Sequence, residues 1–100
     1  MSDLEQKVRY YRLVERGENF VRRAGTISAR NAKSWQNACS KWLRSNLPDS
    51  GLCEDVILVS PPRIGLRGRG LFTNEVRNIQ RILKVLYRAR ELLPFLGDSI

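Results

Sequence analysis

The chain has 100 residues, 42% of them hydrophobic and 28% charged, with 18 Lys and Arg against 10 Asp and Glu and no His. That length holds one domain core, since domains rarely fall below about 50 residues, and the apolar content excludes a wholly disordered chain. No apolar run approaches the ~20 residues of a membrane span, and the opening Met1-Ser2-Asp3-Leu4-Glu5 has no apolar segment of the secretory kind.

The first element is predicted as a helix over about 3–24. Ser2 and Glu5 have capping-box spacing, and Asp3 suits the positive end of a helix. Leu4, Val8, Tyr11, Val14 and Val21 carry the apolar period, widened by Leu13 and Phe20. Gly17 interrupts the stripe and predicts a loosened or kinked turn, at a cost of about 1 kcal/mol relative to Ala. Gly25 is the expected C-cap.

A second helix is predicted over about 28–46, from Ser28 to the stop before Pro48. Trp35, Ala38, Cys39, Trp42 and Leu43 follow the spacing of a helix packed on one side, and the two Trp are expected to anchor the core. Pro48-Asp49-Ser50-Gly51 reads as a turn, and the β-branched-rich run Val56-Ile57-Leu58-Val59 as one short strand ended by Pro61-Pro62. The following stretch, Arg63 to Phe72, is expected to form a loop or the second arm of a small hairpin, returning to the core through Ile64, Leu66 and Leu71-Phe72. The third long helix starts at Thr73 or Asn74 and runs to the neighbourhood of Pro94. Its stripe is Val76, Ile79, Ile82, Leu83, Leu86, Ala89 and Leu93, with Phe95 and Leu96 able to dock after it. The expected architecture is therefore mainly α: a three-helix bundle with a short β-hairpin or ordered loop between the second and third helices, in one domain over 1–100.

Fourteen of the 18 basic residues are Arg. A planar guanidinium bonds phosphate or carboxylate through two parallel hydrogen bonds, which a Lys does not do, so the bias points to an anionic partner. At 100° per residue, Arg77, Arg81, Lys84 and Arg88 fall within about 60° of one another, opposite the apolar face of the third helix. Arg9, Arg12, Arg16 and Arg23 form a similar stripe on the first helix, and Arg30, Lys33, Lys41 and Arg44 a looser one on the second. Like charges at i, i+4 repel, so a stripe without acids is built at some cost to the free protein. Ahead of the third helix, Arg63, Arg67 and Arg69 alternate with glycines. The stretch matches neither the P-loop nor the dinucleotide fingerprint, so these arginines read as arms for a phosphate backbone and not as a nucleotide pocket.

Cys39 and Cys53 stand fourteen positions apart with no His to complete a metal site, so neither metal nor cofactor is expected. Cys39 is expected as a buried free thiol, Cys53 in a loop. Scattered carboxylates and the absence of a histidine base argue against an enzyme. The expected function is non-enzymatic binding of nucleic acid, RNA or structured DNA, in an intracellular compartment. The expected site is Arg63, Arg67, Arg69, Arg77, Arg81, Lys84 and Arg88. The other reading is a small helical interaction or oligomerisation module: an adaptor, an effector-associated domain or a viral or phage accessory protein. Such a module would bind an acidic protein or pair with itself as a homodimer through Val76, Ile79, Leu83, Leu86 and Leu93.

Overall fold

The structure is a computed structural model that describes residues 3–62, 71 and 73–96, the Phe95 side chain excepted. It contains four α-helices: α1 (Asp3–Arg22), α2 (Ala29–Asn46), α3 (Leu52–Ile57) and α4 (Thr73–Leu92). Short 3-10 turns follow α1 at Ala24–Thr26 and α4 at Pro94–Leu96. The chain runs up, down, up and down. The Trp35 indole N–H donates to the Leu13 carbonyl and that of Trp42 to the Gln6 carbonyl, so α2 is antiparallel to α1. Gln36 reaches Val56 and Val59 while Cys53 reaches Ser40, so α3 is antiparallel to α2. Tyr11 reaches the Leu96 carbonyl while the Leu71 N–H bonds Ala24, so α4 is antiparallel to α1. Each helix packs on its two neighbours around the bundle, and α2 also touches α4 across the middle.

One buried cluster draws on all four helices, centred on Trp35, Cys39, Leu43, Val56, Leu86 and Ala89. Both Trp are buried, as their spacing predicted, and Phe20 meets Trp35 edge-on at a centroid distance of 5.7 Å. Ile79, Leu83 and Leu86 of the α4 stripe lie in this core, Leu93 packs half-buried against it, and Val76 is half-buried. Three of the five residues offered above for self-association, Ile79, Leu83 and Leu86, are thus buried inside the protein itself.

The expected strand at Val56–Val59 is not formed: Val56 and Ile57 belong to α3, and Leu58 still bonds back to Glu54. Among the described residues there is no strand and hence no hairpin. The physical reason is the backbone. A lone strand leaves its N–H and C=O groups without partners, whereas a helical turn satisfies them locally. Gly51 starts the turn at φ +79°, a left-handed conformation that L side chains rarely adopt. Glu54 and Asp55 favour the positive end of the short helix. Gln36 then donates to the carbonyls of Val56 and Val59 at 3.1 and 2.8 Å, capping the far end from a neighbouring helix. Cys53, expected in a loop, is consequently buried on α3.

Helix boundaries agree closely elsewhere. The Ser28 hydroxyl accepts from the Asn31 N–H and caps α2. Gly25 is not a left-handed cap: α1 ends at Arg22 and tightens into a 3-10 turn. Ser2, Ile64, Leu66 and Phe72, to which roles were given above, lie outside the described residues.

Gly17 does not break α1, which is continuous and buried at that point. A Cβ there would collide with Trp35 Cζ2 and stand 2.7 Å from Leu83 Cδ2. Gly17 is one turn beyond Leu13 on the same face. The missing side chain is what lets the indole slide across α1 to the Leu13 carbonyl, 2.8 Å away. Gly17→Ala gains about 1 kcal/mol of helix propensity but overpacks the core, which costs about 1–3 kcal/mol. Calorimetry should show a net fall in melting temperature; a rise would mean the ring can move aside.

Burial pushes the Tyr10 hydroxyl up to about 12, with Tyr11 adding to it, and pushes the Cys39 thiol up as well. Both groups keep their protons to higher pH in the folded chain than in the unfolded one. Their stabilisation is thus complete below about pH 8, under the ordinary values of both groups, and is lost as pH rises through the alkaline range. Tyr10 contributes to that loss between its ordinary value of 10.0 and about 12. Urea titrations at pH 8, 10 and 11 should show the decline, and Tyr10→Phe should make it shallower.

Candidate nucleic-acid interface

α1 sits at a corner of the bundle, between α2 and α4. Its buried face is bounded on each side by a groove where the neighbouring helix begins. The residues that line the two grooves point in directions about 170° apart around the α1 axis.

The α1–α4 groove encloses about 710 Å³. Val21 and Leu83 contribute its apolar surface, and Arg22, Arg77, Arg81 and Lys84 its positive charge. Glu18 is the one carboxylate among its described lining residues. The Tyr87 hydroxyl donates to Glu18 Oε1 over a long 3.4 Å. Partial burial, then the Glu18 charge, hold the Tyr87 hydroxyl above its usual pKa. The described lining thus sets four cations against one acid.

The α1–α2 groove is smaller, about 390 Å³. Leu13, Ala38 and Trp42 form its floor, and Arg9, Arg12, Arg16 and Lys41 stand around it. No carboxylate is among its described lining residues. The Arg16 guanidinium lies 5.9 Å from the centroid of the Phe20 ring, within cation–π range. Among the described residues, none of the eight cations of the two grooves forms an ion pair.

These positions sort the stripes read from the sequence. Arg77, Arg81 and Lys84 converge on one groove, and Arg88 is exposed on the same face, one turn further along α4 and outside the lining. Arg63, Arg67 and Arg69 lie outside the described residues. Arg9, Arg12 and Arg16 come together with Lys41, whereas Arg23, Arg30, Lys33 and Arg44 are exposed without lining either groove. Arg22 had been missed: it lies about 110° around α1 from the Arg9–Arg12–Arg16 stripe. Only the packing of α4 brings it beside Arg77 and Arg81. Among the described residues, no three His, Cys, Asp or Glu side chains gather as a metal site. Cys39 is enclosed by the core.

Comparison with known proteins gives no similarity on which to lean: no family model, no curated protein and no solved structure matches the chain.

Crowding of like charge has a measurable consequence for the free protein. Arg81 has Arg77 one turn before it and Lys84 one turn after it. Arg81→Gln should raise stability by about 0.5 kcal/mol in dilute buffer. The gain should vanish in 1 M salt, where screening acts over ~3 Å. A loss of stability in dilute buffer would instead reveal a favourable contact made by Arg81.

Proposed function

We propose that this chain is a non-enzymatic nucleic-acid-binding protein that holds the phosphate backbone of RNA or structured DNA. The observation that carries the reading is the convergence of Arg22, Arg77, Arg81 and Lys84 on one groove, none of them in an ion pair among the described residues, against Glu18 as the one carboxylate of the described lining. Guanidinium groups set side by side offer paired donors to successive phosphates, and each contact releases condensed counterions. Arg88 continues the α4 row, and Arg63, Arg67 and Arg69 belong to the same site on the grounds of sequence, as arms entering α4. A protein partner is the second reading, favoured by the adjacent exposed side chains of Ile57 and Leu58 at the end of α3, 53% and 82% accessible.

Fluorescence anisotropy with a labelled 20-mer hairpin separates these readings. With four phosphates neutralised, affinity should fall about 50- to 150-fold between 50 and 200 mM salt. No binding at 50 mM salt rejects the proposal. Arg77→Glu, Arg81→Glu and Arg88→Glu combined should weaken binding at least about tenfold; unchanged affinity removes the α4 face from the site. A stable dimer in light scattering, with no nucleic-acid affinity, would favour the interaction module.

A further inference from the structure

Resting on the nucleic-acid reading, we infer that the α1–α2 groove is a second phosphate-binding groove, and that the two grooves together select a duplex over a single strand. The first ground is charge. Arg9, Arg12, Arg16 and Lys41 surround an open groove without a described carboxylate in its lining, and none of them is in an ion pair among the described residues. In a face built for solvation the signs interleave. Here the described lining sets four cations around the Leu13–Ala38–Trp42 floor, while the exposed Glu5 and Glu15 of α1 stand outside it.

The second ground is the relation between the grooves. They lie on opposite sides of α1, so a helix diameter of ~10–12 Å separates them laterally. They are also displaced along it. The cations contributed by α1 to the smaller groove are at positions 9, 12 and 16, whereas the larger groove begins at Glu18 and includes Arg22. The α4 cations fall at the same end of α1 as Arg22, because Leu83 packs at Gly17 and Leu71 bonds to Ala24. That axial offset is about eight residues, or ~12 Å. The two sets of charge therefore stand on the order of 15 Å apart, diagonally across α1.

A duplex presents two phosphate rows, one on each side of a groove, and the B-form major groove is about 12 Å wide and admits an α-helix. With α1 between the rows, each row meets one cationic groove. A single strand has one row and fills one groove at a time, or must bend around α1 to reach both. The duplex thus gains the second set of contacts without further ordering, as two linked sites do. A-form RNA has a narrow major groove and a wide, shallow minor groove, so it offers its two rows at a different spacing.

The test compares 20-mer DNA duplex, RNA duplex and the corresponding single strands on the full chain. Arg9→Glu, Arg12→Glu and Arg16→Glu together remove the smaller groove; Arg77→Glu, Arg81→Glu and Lys84→Glu remove the larger. The wild type should prefer at least one duplex to its single strands. Each triple variant should lose at least about tenfold in affinity for that duplex and bring duplex and single strand close to parity. The logarithmic salt slope for a DNA duplex should shrink by about 2.7 for three lost contacts. If the α1–α2 triple binds the duplex within twofold of wild type while the α4 triple is impaired, the second groove is wrong and the proposed function stands. Equal wild-type affinity for single strand and duplex also overturns the inference and leaves that function intact. Failure of the wild type to bind any nucleic acid at 50 mM salt overturns both, and binding to polyglutamate in that case marks an acidic protein as the partner. Circular dichroism checks folding. Should a Glu triple unfold, the Arg9→Gln, Arg12→Gln, Arg16→Gln variant, which adds no negative charge, carries the same comparison.

Discussion

The closeness of α1 to α2 depends on a single absent side chain. Gly17 leaves room for the Trp35 ring, and the ring places its N–H on the carbonyl of Leu13, one turn back along α1. A helical carbonyl has a second lone pair available beyond its own helix bond. Trp42 repeats the contact two turns away, on the carbonyl of Gln6. On the opposite flank, the Tyr10 hydroxyl donates to the Leu86 carbonyl over 2.6 Å, holding α4 against α1 in the same manner. Large side chains that deliver a polar tip to a neighbouring backbone combine apolar burial with a directed bond. They fix the sliding position of each helix, which apolar packing alone leaves softer.

Those same contacts set the charge distribution. Once α1 is held between α2 and α4, its two flanks become the walls of two grooves, and the arginines at the borders of its buried face project into them. The residues that make the fold and those that make the candidate interface are thus neighbours along one helix. Leu13 binds Trp35 through its carbonyl and floors a groove with its side chain, while Arg12 and Arg16 stand beside that groove. Cations crowded without counter-charges are a burden on the isolated protein and an advantage only when an anion is bound.

How legible this was in the sequence varies with how local the cause is. The stripe of Ile79, Leu83 and Leu86 is read easily because α4 is long and the 3.6-residue period repeats for five turns. The run Val56-Ile57-Leu58-Val59 was misread because four β-branched-rich residues are too few to show a period, and what stabilises α3 is remote. Gln36, twenty positions before Val56, donates to the carbonyls at its far end. Gly17 was read for its flexibility when its role is steric, and nothing near it in the chain announces that an indole will lie against it. The α4 cations were visible as a row. Their meeting with Arg22, and that of Lys41 with Arg9, Arg12 and Arg16, depended on which flank of α1 each neighbour would take.

The amino-acid order by itself determined the net positive charge, the preference for Arg, three of the four helices and the burial of both Trp residues. These follow from composition and from periodicities a few residues long. Only the tertiary structure decided that α3 is a helix, that the apolar stripe of α4 is turned inward, and that scattered basic stripes become two grooves on either side of α1. The reason is that a helix surface is cylindrical. Sequence assigns each side chain an angle on that cylinder, but which angle becomes a groove wall depends on where the neighbouring cylinders come to rest.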